Sequence, residues 1–185
     1  AGTLNVYTDV TVKNGSAKLG GNIYSTTAAI KIWGDVIGGT ATEKGGNIYA
    51  AYTTYVYGKV DGGSAPLGGN IFQSQNTAFL FGAQIVNAKQ GGGVYINTGA
   101  KVTVGADTTT SMNKMDDSTF VNLYLPTGTL IGLGTANEPL VAAANVGITQ
   151  EDSTQPIAST DKTYFAAGVS ASDVFYKQGA ECGVV

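Results

Sequence analysis

The sequence predicts an all-β fold, a right-handed parallel β-helix (β-solenoid) of about five to six coils, with three strands per coil and an irregular C-terminal segment. The first observation behind this prediction is a five-residue phrase, Gly-Gly-Asn-aliphatic-aromatic. It begins at Gly20, Gly45 and Gly68, and returns in degraded form at Gly91. Self-similarity at a period of twenty-odd residues is typical of a solenoid, in which each repeat is one coil stacked on the previous one.

The second observation is an alternating phrase that follows each copy of the first. Its central residues are spaced 24 residues apart, at Ile32, Val56, Leu80 and Val104. Both phrases are short, alternate with a period of two and are bounded by Gly, which is typical of strands. Stacked copies must run in the same direction, so the sheets are predicted to be parallel. A weaker third strand is predicted at Val36–Ile37, Val60 and Ile85–Val86.

Alternation along the strands predicts which side chains face the core. The predicted inward positions are aliphatic or small: Ile23, Ile30, Ile32, Ile48, Thr54, Val56, Ile71, Ala78, Leu80, Val94, Val102 and Val104. The predicted outward positions are mostly aromatic: Tyr24, Lys31, Trp33, Tyr49, Tyr55, Tyr57, Phe72, Phe79, Phe81, Tyr95 and Thr103. Asn22, Asn47 and Asn70 form a further column, and stacked asparagines are expected to hydrogen-bond along a ladder at a turn.

Residues 1–19 are predicted to form an incomplete first coil. Asn5, Val6 and Tyr7 copy the Asn-Ile-Tyr part of the first phrase, and they form the predicted N-terminal edge of the solenoid. The edge of a sheet offers unpaired backbone groups to another strand. We therefore expect either that a neighbouring molecule covers this edge, or that the chain belongs to a longer array.

Residues 106–120 break the period and are predicted to be a loop. The carboxylates of Asp107, Asp116 and Asp117 are oxygen ligands of the kind that calcium prefers, but the spacing of a calcium-binding EF-hand loop is absent. No metal site is therefore predicted. Residues 1–136 are assigned to the coils, and residues 137–185 to a capping or assembly segment of the same domain.

Composition restricts the function. The chain has 185 residues, of which 43% are hydrophobic and only 12% charged, with a formal net charge of −3. Nucleic acid is an unfavourable partner because no basic patch is present. No apolar run has the length of a membrane span and no leader opens the chain, so Ala1 is expected to be a mature start. The single cysteine, Cys182, cannot form an internal disulfide and is expected to be inert.

All ten basic residues are lysine, because the chain contains neither Arg nor His. The usual general base, the imidazole metal ligand and the bidentate anion clamp are therefore missing. An acidic catalytic site on a β-helix would have to use Asp35, Asp61 or Glu43. Turn aspartates facing solvent are the simpler interpretation. No enzyme activity, catalytic residue or cofactor is predicted.

The outward aromatics of the second phrase are the most distinctive surface feature. Trp33, Tyr55, Tyr57, Phe79 and Phe81 are predicted to lie on one face across three adjacent coils. Together they would expose on the order of 500 Å² of apolar surface, at or above the largest patch typical of a soluble monomer. A protein–protein surface is the favoured interpretation. Coverage by the chain's own tail, stacking against carbohydrate and plain exposure are the alternatives.

The coil phrase resumes at Val121–Gly128, with Asn-Leu-Tyr followed by Leu-Pro-Thr-Gly. Together with the Gly-Gly-Asn-Ile-Tyr repeats and the segment Val146–Thr149, this resembles right-handed parallel β-helix repeats of large bacterial cell-surface, adhesin-like proteins. The Gly-Gly-x-Ile phrase also resembles repeats of autotransporter passengers, but their Phe-x-x-Asn companion motif is absent. The resemblance implies an extracellular, non-catalytic protein. We expect a structural protein that self-associates into a filament, sheath or surface layer. The alternative is an adhesive module that binds a cell-surface glycan or a host surface.

Overall fold

The computed structural model describes residues 2–177, with the side chains of residues 159–163 and 177 excepted; Cys182 lies outside this part of the chain. The chain winds into a parallel β-solenoid whose strands fall into three stacked columns, called here faces A, B and C. Face A contains seven strands: β1 (Thr3–Val6), β5 (Ala29–Ile32), β9 (Thr54–Val56), β12 (Thr77–Phe81), β15 (Lys101–Gly105), β18 (Ile131–Leu133) and β20 (Ala158–Thr163).

Faces B and C are built from the third strand and from the Gly-Gly-Asn strand of each coil. Face B contains β2 (Thr11–Lys13), β6 (Asp35–Ile37), β10 (Lys59–Asp61), β13 (Gln84–Val86) and β16 (Thr109–Ser111). Face C contains β4 (Ile23–Ser25), β8 (Ile48–Ala50), β11 (Ile71–Gln73), β14 (Val94–Ile96) and β17 (Leu123–Leu125). A short fourth element, β3 (Ser16–Leu19) paired with β7 (Thr40–Lys44), lies between faces B and C in the first coils.

Faces B and C merge at the last complete coil. Strand β19 (Asn145–Gln150) continues straight through the position of a corner. Its first half pairs with β16, through Thr110 and Val146, and its second half pairs with β17, through Leu123 and Ile148. After β20 the chain forms a one-turn helix, α1 (Ala171–Val174), and then β21 (Phe175–Lys177), which pairs with β19.

The seven strands of face A correspond to about seven coils, more than the five to six predicted. The additional coil lies at the C-terminal end of the chain. Strand β20 lies in the C-terminal segment predicted to be irregular, yet its backbone extends face A by pairing with β18. At the other end, Val6 pairs with Ile32, so Asn5, Val6 and Tyr7 repeat the second phrase of the coil and not the first. They lie on face A, at the end of the sheet, with Tyr7 following the strand as Trp33 follows β5.

The predicted facing of the strands is confirmed. Every predicted inward side chain is at most 5% exposed, including the polar Thr54. Leu80 and Ile32 are fully buried in one continuous core that runs the length of the solenoid. Because the step of the repeat matches one coil, each inward position stacks on its counterpart in the next coil.

The glycine pair of the first phrase has two separate roles. Gly45 has a φ of +66°, which turns the chain into face C and is accessible at little cost only to glycine. Gly46 has an ordinary φ, but a Cβ atom added there would lie 2.2 Å from the carbonyl oxygen of Gly69 in the next coil. The first glycine is therefore required by conformation and the second by the close approach of adjacent coils.

Candidate functional site

The aromatic side chains of face A form a stack along the axis of the solenoid. Tyr7 stacks on Trp33 with ring centroids 6.1 Å apart, and Trp33 stacks on Tyr57 at 5.6 Å. The stack continues to Phe81 at 6.1 Å, where the rings are tilted by 52°. Such spacings lie in the range of favourable ring contacts, because one coil advances by about the distance between neighbouring strands.

A second, shorter stack runs beside the first. The rings of Tyr55 and Phe79 are 4.9 Å apart and nearly parallel, and Phe79 contacts Phe81 at 5.6 Å in a tilted arrangement. The ammonium group of Lys31 lies 5.4 Å from the centre of the Tyr55 ring, a cation–π contact that covers the N-terminal end of this stack. The structure thus brings Trp33, Tyr55, Tyr57, Phe79 and Phe81 together on one face.

The accessible part of this aromatic face differs from that expected from the sequence. Phe81 is only 7% exposed, because Gly105 in the next coil lets the ring lie over the backbone. Tyr7, in contrast, is 62% exposed and extends the stack toward the N-terminal end. Sequence reasoning missed Tyr7 as a member of this face because its phrase matches both strand types. The register of β1 against β5 assigns it to face A.

Face C carries an aromatic stack of its own. Its members are Tyr24, Tyr49, Phe72, Tyr95 and Tyr124, with successive centroids 5.4, 5.6, 5.3 and 4.5 Å apart. Phe72 points away from the core yet is 1% exposed, because it lies between two rings and beneath the ammonium group of Lys44. Burial, and then the neighbouring Tyr95 and Glu151, raise the pKa of Tyr124 to about 12. Tyr24, at the N-terminal end, is 55% exposed.

An asparagine ladder runs inside the corner between faces B and C. The Asn22 amide donates to Oδ1 of Asn47 at 2.7 Å, and Asn47 donates to Asn70 at 2.8 Å. The degraded repeat has no asparagine at this position, and the Asn70 amide donates instead to Oδ1 of Asn113 at 3.0 Å. The Asn113 amide in turn donates to Oδ1 of Asn122 at 2.7 Å. The predicted ladder is thus confirmed and is longer than the repeats alone indicate.

Asn113 comes from the segment predicted to be a loop, and it fills the place of a missing repeat residue. The degraded copy of the phrase has Gly93 where the other copies have Asn. A Cβ atom at Gly93 would lie 2.8 Å from Cγ of Asn113, so only glycine leaves room for the inserted side chain. At the C-terminal end, Asn122 donates to the hydroxyl of Tyr176 at 2.8 Å. This ladder is a structural element that holds the coils in register.

The acidic residues considered as a catalytic site do not share one column. Asp35 pairs in register with Lys59, whereas Asp61 pairs with Ile37. Lys59 forms an ion pair with Asp61 at 2.6 Å, and this hydrogen bond raises the pKa of Lys59. Glu43 lies elsewhere, on β7, where it pairs with exposed Lys18 at 3.2 Å. These contacts are those of ion pairs on the surface of the solenoid.

One of the three aspartates of residues 106–120, Asp116, is used in turn contacts. Asp116 accepts hydrogen bonds from the backbone N–H groups of Ser118 and Thr119 at 2.9 and 2.8 Å. The hydrogen bonds from Ser118 lower the pKa of this exposed carboxyl group, with a smaller contribution from Thr119. Leaving aside the side chains that the structure does not describe, no group of three or more acidic or cysteine side chains is placed to hold a metal ion.

A groove opens on face A where the shorter aromatic stack ends. It has a volume of about 550 Å³ and lies beside Phe79, between the turn that precedes β15 and the turn that precedes β18. In the described part of the chain, its polar lining residues are four threonines and one lysine: Thr77, Thr103, Thr127, Thr129 and Lys101. This volume lies within the range of about 300–1,000 Å³ that is usual for sites that bind small ligands.

Comparison of the chain with protein-family models, with curated proteins and with solved structures gave no match. The class of protein is therefore defined by the fold alone, and that fold is the parallel β-solenoid. The resemblance to repeats of bacterial surface proteins depends on the repeat residues alone. In the part of the chain that the structure describes, no helix combines the length and the apolar character needed to cross a bilayer.

Proposed function

We propose that this protein is an extracellular structural protein that self-associates into a filament, sheath or surface layer through the aromatic stack of face A. The observation that carries the proposal is the row of stacked rings from Tyr7 through Trp33 to Tyr57, which lies on the outside of the sheet. Tyr7 is 62% exposed, and the other two rings are partly exposed. Aromatic rings in such a row provide a large contact area at a low entropic cost, because their stacking already restricts their rotamers.

Electrostatics support association between copies of the chain. Charged residues make up 12% of the sequence and the net charge is −3, so repulsion between copies is weak. The ammonium group of Lys31 lies against the ring of Tyr55. A contact between two different surfaces of one molecule produces a fibre unless the rotation between copies happens to close a ring. Extracellular placement is proposed on the resemblance of the repeats to those of cell-surface proteins.

The test is a variant in which Tyr7, Trp33 and Tyr57 are all replaced by Thr. Threonine retains strand propensity and leaves the inward columns unchanged. The matched control replaces three exposed rings away from face A by Thr, namely Tyr24, Tyr52 and Phe120, which are 55, 40 and 38% exposed.

Polymerisation is measured by light scattering and by electron microscopy of the purified proteins, and folding by thermal circular dichroism. We expect the parent and the control to polymerise and the face A variant to remain a folded monomer. Polymers of the face A variant like those of the parent would rule out face A as the interface. A parent protein that remains monomeric at high concentration would rule out self-association altogether.

The second candidate function is adhesion to a glycan. The observation that favours it is the groove beside Phe79, because it combines an aromatic ring with several hydroxyl groups. Under this candidate the solenoid is a rigid support that presents the groove, and polymerisation is not required.

A further inference from the structure

The groove beside Phe79 exists because one outward column changes from large to small residues. In register along face A, Lys31 is followed by Tyr55, Tyr55 by Phe79, and Phe79 by Thr103. Thr103 is followed by Gly132, where an added Cβ atom would lie only 2.6 Å from Oγ1 of Thr103. One face of the Phe79 ring packs on Tyr55. The other face is directed toward the position of the small residues, where the next ring of the stack would lie.

The two turns that form the walls of the groove are fixed by hydrogen bonds. On one side, the N–H of Ala100 donates to Asn97 at 2.9 Å, and the N–H of Lys101 donates to Asn76 at 2.8 Å. On the other side, both the N–H and the hydroxyl of Thr127 donate to Oε2 of Glu151, at 2.9 and 3.0 Å. The groove is therefore formed before any ligand arrives, which lowers the entropic cost of binding.

The lining of the groove combines apolar side chains, among them Phe79 and Leu130, with hydrogen-bonding groups. Among the side chains that the structure describes, the hydroxyls of Thr77, Thr103 and Thr129 have no hydrogen-bond partner. An apolar side chain seated in the groove would separate these hydroxyls from water without replacing their hydrogen bonds, which is unfavourable. A ligand that carries hydroxyl groups around an apolar ring face can form hydrogen bonds with the threonines and pack its apolar face on the ring of Phe79.

A pyranose ring has this combination, because its C–H groups form an apolar face while its hydroxyls project from the rim. Of the side chains described by the structure, Lys101 is the charged one that lines the groove, and no carboxylate lines it. We propose that the groove binds a sugar unit of an acidic glycan, with the ring stacked on the open face of Phe79 and its carboxylate near the ammonium group of Lys101. This inference gives the adhesive candidate a ligand class, and it holds whether or not face A polymerises.

The experiment is calorimetric titration of the full chain with tetrasaccharides of galacturonic, mannuronic and guluronic acid and with a glucuronate-containing chondroitin tetrasaccharide. The neutral comparison is the methyl ester of the galacturonate tetrasaccharide, together with cellotetraose. Light scattering of the same samples records self-association separately, so a failure of one proposal is distinguishable from a failure of the other. We expect at least one acidic tetrasaccharide to bind at millimolar or lower concentration and the neutral ones to bind more weakly.

Three variants and one control locate the site. Phe79→Leu keeps apolar volume but removes the ring face, and it should weaken binding about tenfold, the scale of a good aromatic contact. Lys101→Gln should weaken binding of the acidic sugar several-fold, whereas Lys13→Gln, which removes the same charge from an exposed position on face B, should not. Thr129→Val should reduce affinity through loss of one hydroxyl.

Several outcomes would overturn the proposal. They are no binding by any acidic tetrasaccharide, equal binding by the neutral sugars, or equal effects of the Lys101 and Lys13 variants. If Phe79→Leu does not fold, the comparison of the lysine variants together with Thr129→Val decides the matter. Unchanged affinity in both Lys101→Gln and Thr129→Val would exclude the groove.

Discussion

Removal of the central asparagine of the ladder is the sharpest test of what holds the coils together. The side chain of Asn70 is fully buried and makes four hydrogen bonds. Its Oδ1 accepts from the Gly63 N–H at 2.9 Å and from Asn47 at 2.8 Å. Its Nδ2 donates to the Val86 carbonyl at 2.8 Å and to Asn113 at 3.0 Å. Asn70→Ala leaves these four groups without their partner, inside a corner that has little room for water.

The expected loss of stability follows from the two donors that are left unpaired. A buried polar group without a partner costs roughly 1–3 kcal/mol, so the unpaired N–H groups of Gly63 and Asn47 together cost about 2–6 kcal/mol. That is a large part of the total of about 5–15 kcal/mol typical of a folded protein. Urea unfolding followed by circular dichroism measures the difference in free energy of unfolding between variant and parent.

The matched control is Asn137→Ala, since Asn137 is exposed and lies in a bend outside the ladder. Substitutions at such positions usually change stability by less than about 0.5 kcal/mol. A loss below about 1 kcal/mol for Asn70→Ala, with an unchanged dependence on denaturant, would refute the reasoning that the ladder is a main source of stability. It would indicate that the apolar columns hold the register without help from the asparagines.

An isosteric substitution separates the loss of donors from the loss of volume. Asn70→Asp keeps both acceptor bonds, but its second oxygen then faces the Val86 carbonyl and the Asn113 Oδ1 atom. Burial and these two acceptors disfavour the anion, so the pKa of the introduced carboxyl group should rise above that of an unfolded aspartate. The variant should therefore lose stability as the pH rises from the unfolded-state pKa through the higher folded-state pKa, and regain it on acidification. A stability that does not vary with pH would contradict this account.

Three further predictions concern the core, the ladder and a half-buried tyrosine. Leu80→Asp places an unpaired charge in a fully buried position and should abolish the cooperative thermal transition; a transition near that of the parent would contradict the inward facing. Gly93→Ala should reduce the free energy of unfolding by about 1–3 kcal/mol, because the added Cβ lies 2.8 Å from Cγ of Asn113; denaturant unfolding measures it. Burial raises the pKa of Tyr124 to about 12 from 10.0, so stability should be lost as the pH rises between these values. In an ultraviolet titration Tyr124→Phe should remove a late-ionising group, and an unchanged curve would refute the assignment.

Much of the fold is predictable from the sequence because the repeat and the alternation reinforce each other. A constant step of 24 residues places Ile32, Val56, Leu80 and Val104 in one column wherever the coil lies in space. Alternation then decides which side of each strand is apolar, and the burial of these residues agrees. The aromatic face is predictable for the same reason, since outward positions stack with the same step as inward ones.

The exposure of that face is not predictable, because it depends on residues of the neighbouring coil. Phe81 is buried because the residue in register with it is Gly105, which lets the ring lie against the backbone. The groove beside Phe79 opens for the opposite reason, because the two following residues of its column, Thr103 and Gly132, are too small to continue the stack. A change of side-chain size along a column becomes a surface feature only once the coils are stacked.

The sequence by itself determined the solenoid, the inward columns and the first three members of the asparagine ladder, because each follows from local alternation and a fixed period. Tertiary structure alone decided the rest of the ladder. Asn113 reaches Asn70 across 43 residues, and Asn122 reaches Tyr176 across 54, outside any period of the repeat. These side chains occupy spaces that Gly93 and Gly147 leave open. A space of this kind forms only when coils from distant parts of the chain come into contact, so no local pattern records which residue will fill it.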